Sequence, residues 1–119
     1  MARIDLIRIG DDSASRAQGL MFIHQMAEMS GMLFKFDKPE ILRFWMANTY
    51  IPLDIAFINK DGVIIKTESL VPLSLKTVSS GSPCVMAVEV PFGSLQKAGG
   101  GIGKKVKVDW ETKSLEFHD

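Results

Sequence analysis

The stretch Asp54-Ile55-Ala56-Phe57-Ile58-Asn59-Lys60-Asp61-Gly62-Val63-Ile64-Ile65-Lys66-Thr67 decides how the rest of the chain is read. Two apolar, β-branched runs flank a polar four-residue segment that ends in glycine. Gly62 suits the left-handed position that closes a hairpin, so Asp54–Ile58 and Val63–Thr67 are expected to form an antiparallel ribbon. The flanks of this ribbon are then read for strands that could extend it.

Upstream lies Phe44-Trp45-Met46-Ala47-Asn48-Thr49-Tyr50-Ile51-Pro52-Leu53. Pro52 cannot donate to a ladder, so pairing resumes only at Leu53 or Asp54. Leu42–Met46 reads as the preceding strand, with Phe44 and Met46 facing one way and Arg43 and Trp45 the other, and Ala47–Pro52 as the turn between. Arg3–Ile9 alternates polar and apolar residues as a first strand. Gly10–Ser13 ends it and offers N-cap side chains to a short helix over Ala14–Gln18, which Gly19 stops. Gly31–Phe36 is apolar on both sides and reads as a central strand, with Asp37–Glu40 as a turn. Leu70–Pro83 carries two prolines and a Ser-Ser-Gly-Ser cluster, the signature of a loop or an edge excursion. Cys84–Val90 is a buried strand whose faces are apolar except at Glu89. Pro91 then admits a short helix over Ser94–Ala98 ended by Gly99, Lys105–Trp110 alternates as a late strand, and Ser114–Phe117 pairs with it.

About seven or eight short strands joined mostly by tight turns, with one or two short helices, argue a mainly β architecture. An antiparallel β-sandwich or a partly closed barrel is expected. A doubly wound sheet would need long helices between strands, and no segment supplies them.

The chain has 119 residues, 46% of them hydrophobic, which suits a single domain over residues 1–119. Its 14 basic and 14 acidic side chains balance, leaving no long-range attraction for phosphate backbones, so no nucleic-acid partner is expected. Lys104, Lys105 and Lys107 alternate with Val106 and Val108 as the wet face of a strand. Cys84 is the single cysteine, so no intrachain disulfide can form. No run approaches the ~20 apolar residues of a membrane-spanning helix. Met1–Ile9 lacks the apolar centre of a secretory signal.

Four constellations carry chemistry on paper. The glycines of Gly99–Gly103 precede Lys104, but a phosphate loop would need glycine where Ala98 stands and Ser or Thr where Lys105 stands. Cys84, His24 and Asp54 could be assembled into a hydrolase triad, yet nothing beside Cys84 would lower its pKa, and a buried inert thiol is expected. Met21, Met32 and Met46 offer soft sulfur but not the clustered spacing of a copper tract, so they read as core filling and no cofactor or metal is expected. Asp54 and Glu89 are the informative pair, because a carboxylate entering a sheet interior costs several kcal/mol unless it finds partners. On a structural reading, Asp54 accepts from the backbone amides of the Asn48–Ile51 turn and Glu89 pairs with Arg16. On a functional reading, the two floor a pocket walled by Met21, Trp45 and Met46.

The segments Arg16-Ala17-Gln18-Gly19-Leu20-Met21, Gly31-Met32-Leu33-Phe34, Phe44-Trp45-Met46-Ala47-Asn48-Thr49, Pro52-Leu53-Asp54 and Asp61-Gly62, in this order, resemble the DUF192 family. The resemblance covers nearly the whole chain, including Glu89 and the Gly103 turn. It implies a compact β-rich domain of sandwich or barrel type and favours a periplasmic or otherwise extracytoplasmic setting. It brings no established activity. The family motif falls on Arg16, Gly19, Met21, Trp45, Met46, Asn48, Thr49, Asp54 and Glu89 and assigns them no role.

The leading expectation is a binding domain that holds a small molecule or peptide end near the Trp45–Asp54 turn, using Arg16, Met21, Trp45, Met46, Asn48, Thr49, Asp54 and Glu89. One alternative is a hydrolase or lyase with Asp54 and Glu89 as acid and base, which requires both carboxylates to face one cavity. The other is a structural or protein-interaction module in which every motif residue supports the fold.

Overall fold

The structure, a computed structural model, describes residues 2–119. Met1, the first residue of the segment read for a secretory signal, lies outside them. The ribbon expected from Asp54–Thr67 is present as β4 (Leu53–Ile58) and β5 (Ile64–Leu70), antiparallel. Gly62 takes the left-handed conformation at φ 76°, and its amide donates to the Asn59 carbonyl at 3.0 Å. The Asn59 side chain supplies what the turn lacks, its Oδ1 accepting from the amides of Asp61 and Val63.

Around this ribbon the chain builds β1 (Ile4–Gly10), α1 (Ser13–Gln18), β2 (Ser30–Glu40), β3 (Arg43–Phe44), β6 (Val78–Ser79), β7 (Cys84–Pro91), α2 (Ser94–Lys97), β8 (Lys105–Asp109) and β9 (Ser114–His118). Seven strands form one sheet in the order β5-β4-β7-β2-β1-β9-β8. The sheet curls into a half-barrel until its two edges touch, where Ile64 donates to Lys104 O at 2.9 Å and Gly103 to Ile64 O at 2.8 Å. The partly closed barrel is thus the form the β-rich chain takes, and Gly103 serves that closure.

The antiparallel expectation holds for every pairing in the sheet but one: β1 and β2 run parallel. Residues 11–29, containing α1, supply the long crossover that a parallel pair requires. Asp12 caps α1 by accepting from the Ser15 amide at 2.7 Å, and Gly19 ends it at φ 52°.

Two expectations about the middle of the chain are corrected. Asp37–Glu40 is not a turn: β2 continues to Glu40, which pairs with Cys84, and residues 36–39 bulge out of the ladder. Leu42–Met46 is not a full strand, since only Arg43 and Phe44 pair, and they pair with Val78 and Ser79 from the segment read as a loop. Leu42 anchors this small ribbon, its amide donating to Ser80 Oγ at 2.9 Å and its carbonyl accepting from the Ser80 amide at 2.8 Å.

The central strands are buried on both faces. Inside the curl, Ile4, Leu6, Leu33, Ala56, Ile58, Val88, Val90 and Leu115 pack under α2 residues Leu95 and Ala98. Outside it, Met32, Phe34, Leu53, Ile55, Phe57 and Ala87 are covered by Leu20, Leu42 and Met46 from the crossover and the β3–β6 ribbon. Phe34, Phe44 and Phe57 meet edge-on or tilted in this outer core, with centroids 4.8 and 5.9 Å apart. Among the described residues no helix is long and apolar enough to cross a membrane.

Gly31 lies where β2 passes β7 so closely that an added Cβ would stand 2.6 Å from the Glu89 carbonyl oxygen and 2.8 Å from Val90 Cγ1. Backbone cannot yield as a side-chain end does. Gly31→Ala is therefore expected to lower unfolding free energy by about 1–3 kcal/mol, measured by urea denaturation; an unchanged midpoint would show that the β2–β7 contact is looser than described.

Candidate functional site

Side-chain alternation decides where the two carboxylates go. In the β4–β7 ladder Asp54 is paired with Val90 and Ile55 with Glu89. Residues directly opposite share a face. Val90 belongs to the core inside the curl and Ile55 to the core outside it. Asp54 and Glu89 therefore leave the sheet on opposite faces, and the expected acid–base pair is not formed.

Asp54 is a structural fastener. Its Oδ2 accepts from the Gly93 amide at 2.9 Å and its Oδ1 from the Ser69 hydroxyl at 2.8 Å. This corrects the expectation that it serves the Asn48–Ile51 turn: it holds the entry to α2 and ties β4 to β5. The Asn48 turn is satisfied by backbone instead, with Asn48 O accepting from Phe22 N at 2.8 Å and Thr49 O from Leu73 N at 3.0 Å. Phe22, Asn48 and Leu73 all hold positive φ, at 67°, 55° and 64°. Strain of about 1–3 kcal/mol for a residue held in such a conformation concentrates in native proteins where the surroundings over-determine the backbone, functional sites among them.

Glu89 has no such partners. It is 4% exposed, and neither Arg16 nor any other described residue bonds to its carboxyl, whose oxygens keep a narrow contact with solvent, since no side-chain oxygen among the described residues is both enclosed and unpaired. The expected Glu89–Arg16 pair is absent because Arg16 is spent elsewhere: it donates to Lys35 O at 2.9 Å and its guanidinium lies over the Phe36 ring at 4.7 Å. Burial alone pushes the Glu89 carboxyl up to about 8, which keeps it largely protonated at neutral pH.

The carboxyl opens onto a cavity of about 70 Å³ on the outer face of the sheet. One wall is the end of α1 and its continuation through Gly19, Leu20 and Met21; the other is Arg43, Phe44, Trp45 and Thr49, with Phe34 beneath. The walls are clamped together by the Phe22–Asn48 hydrogen bond. Arg8 secures the first wall from behind by donating to Gly19 O. Thr49 is 5% exposed and donates its hydroxyl proton to Ala47 O at 3.1 Å, so the lone pairs of that oxygen remain available as acceptors. Trp45 is half exposed, at 51%, as expected for an indole at a rim.

Of the residues singled out from sequence, Met21, Trp45, Thr49 and Glu89 meet at this cavity. Arg16, Met46, Asn48 and Asp54 do not: Met46 is 2% exposed in the outer core, and Asn48 acts through its backbone. Gly19, Phe34, Arg43 and Phe44 were not among the candidates. Their signal lay in the motif itself, since Gly19 and Phe34 belong to the segments already quoted, but nothing in spacing brings α1 against β3.

Cys84 is fully buried, and burial raises its thiol above the ordinary range. His24 stacks on Tyr50 at 4.9 Å between ring centroids. Among the described residues no three His, Cys, Asp or Glu side chains are grouped to hold a metal ion. Two larger clefts, of about 390 and 330 Å³, lie along β5; their charged groups are exposed Glu68 and Lys76 and partly buried Lys66 and Asp54, which already bond to Ser79 O and to Ser69 and Gly93.

Two outcomes are expected. Because Glu89 keeps its proton when folded and loses it near its ordinary value of 4.5 when unfolded, unfolding releases a proton between pH 4.5 and about 8. Stability should then fall as pH rises through that window, by on the order of 5 kcal/mol, and level off above it. Urea titrations of wild type and Glu89→Gln isolate the effect, the variant gaining relative stability as pH rises; parallel pH profiles would refute it. Asp54→Ala should cost about 1–3 kcal/mol by freeing the Gly93 amide, and it should leave Trp45 emission unchanged.

Comparison with known proteins agrees with the fold. The DUF192 family model, described as an uncharacterized ACR, matches residues 3–108. No match was found among curated proteins. A solved structure from Sinorhizobium meliloti 1021, provisionally labelled a transcription regulator, is similar at 35% identity and TM-score 0.79, over 92% of this chain and 78% of its own. A protein of unknown function from Novosphingobium aromaticivorans DSM 12444 is similar at 32% identity and TM-score 0.79, over 83% of this chain and 71% of its own. The chain belongs to the DUF192 family.

Proposed function

We propose that this protein is a small-ligand binding domain whose site is the Glu89 cavity under Trp45. The observation that carries the reading is a largely buried carboxyl without a protein partner that lines a cavity between two clamped walls and meets solvent only narrowly. An unpaired polar group in a core costs free energy that a purely structural role does not recover. Replacing Glu89 by an apolar residue would fill the outer core more cheaply, so the cost is rational where a ligand supplies the missing partner. The shape agrees, with mostly apolar walls, a few convergent polar groups and an aromatic rim.

Reaction chemistry is not favoured. Asp54 lies on the other face of the sheet and is saturated by Ser69 and Gly93. The label carried by the Sinorhizobium neighbour would, for this chain, call for a phosphate-binding surface, and the balance of 14 basic against 14 acidic side chains speaks for the pocket instead.

The test uses Trp45 as reporter. With Trp110→Phe, Trp45 is the remaining one of the two tryptophans. Small alkylamines, alkanoates, amides and alcohols are titrated while emission and melting temperature are followed. At least one class should shift Trp45 emission saturably and raise the melting temperature as mass action requires; an unresponsive Trp45 across all four classes would contradict the reading.

A further inference from the structure

We infer that the head group taken by this cavity is a primary ammonium, seated between the Glu89 carboxylate and the faces of Trp45, Phe34 and Phe44. The inference rests on the binding reading above and names the ligand class of the same site.

With Glu89 ionised, the two buried polar side chains of the lining, Glu89 and Thr49, present acceptors, while its other polar side chains, Gln18 and Arg43, are exposed. Glu89 offers two oxygens, and the Thr49 oxygen offers lone pairs because its proton is committed to Ala47 O at 3.1 Å. A group bearing three N–H donors and one positive charge complements that set. Much of the remaining lining is aromatic and thioether: Phe34 and Phe44 meet at 4.8 Å between centroids, and Trp45 and Met21 complete the walls. Aromatic faces attract a cation and give a neutral acceptor or an anion nothing comparable. The cavity, at about 70 Å³, is several times the ~10–15 Å³ that one water needs. It holds an aminomethyl head while the remainder of the ligand passes out beside Trp45.

The charges near the site are accounted for element by element. Arg8 is turned to Gly19 O, Arg16 to Lys35 O and Phe36, and Lys35 to the Trp110 ring. On the sheet face itself Lys66 reaches Ser79 O, and Glu68 stands beyond Ile55, exposed at the edge strand. Arg43, exposed on the rim, is the charged group besides Glu89 in the lining, and it opposes a cation. Its removal therefore reads the sign of the ligand.

Binding moves one proton. Glu89 releases its proton to solvent as the ammonium enters, and the carboxylate so formed pairs with the cation, which keeps its own proton. Affinity for an alkylammonium should rise with pH up to the free carboxyl's value near 8 and then level off, approaching tenfold per unit well below it.

The experiment is calorimetry of the full chain with ethyl- and butylammonium, and with propionate and butyrate, between pH 6 and 9. Two buffers of different ionisation enthalpy count the protons released. The inference expects the ammonium series to bind with close to one proton released at pH 6.5, Arg43→Ala to tighten it several-fold, and Glu89→Gln, confirmed folded by its melting curve, to weaken it tenfold or more and remove the proton release. Equal binding of Nα-acetyl-lysine methylamide and butylammonium would identify a lysine side chain as an admissible source; binding of the free amine alone would identify a small molecule. Alkanoate binding without ammonium binding, weakened by Arg43→Ala, would overturn the ammonium assignment and leave the pocket standing. Binding by neither series, together with an unresponsive Trp45, would overturn both.

Discussion

Strand β7 is paired on both sides, to β4 and to β2, in the middle of a sheet that is packed on both faces. Every side chain it carries past Met86 must enter one core or the other, and Glu89 is the one that is ionisable. The rest of the molecule is arranged around that constraint. Gly31 lets β2 approach the Glu89 backbone, α1 and its continuation cover the carboxyl from one side, and the short β3–β6 ribbon covers it from the other. The result is a carboxyl largely removed from water without being given a protein partner, the combination that raises a carboxylic acid towards neutral pH.

The two acidic residues of the central ladder show how environment separates chemically similar groups. Asp54, one face away, sits at an end of its strand where a backbone amide and a hydroxyl reach it, and both oxygens are used. Glu89 sits three residues short of Phe92, among lining side chains none of which bonds to it, although exposed Arg43 and Gln18 are in the lining. A single pleat therefore divides a hydrogen-bonded carboxylate from one without a protein partner. The left-handed conformations at Phe22, Asn48 and Leu73 belong to the same design, because each lets one loop amide or carbonyl reach its neighbour and hold the cavity walls at fixed separation.

Much of the fold was legible because it is written in local terms. The Asn59–Gly62 turn, the Gly19 helix stop and the alternation of β8 each depend on a few adjacent residues. The parallel pairing of β1 with β2 was not legible, since it depends on where a 19-residue crossover lands, and neither was the rescue of Arg43 and Phe44 by Val78 and Ser79 from a proline-bearing loop. At the site, Trp45, Thr49, Met21 and Glu89 were visible as expensive residue types in motif segments. Their partners were misassigned for a geometric reason: Asp54 and Glu89 look equivalent along the chain, and only the Ile55–Glu89 register reveals that they face apart. Arg16 was an equally plausible counter-ion until Phe36 and the Lys35 carbonyl are seen to occupy it.

The most direct test of this account is the titration of the Glu89 side-chain carboxyl itself, followed by carboxyl carbon chemical shift in the ligand-free protein and assigned with Glu89→Gln. The account predicts a midpoint near 8 for this one carboxyl. A midpoint near the ordinary 4.5 would contradict it, by showing that water or a protein partner stabilises the charged form where the structure places a largely buried acid.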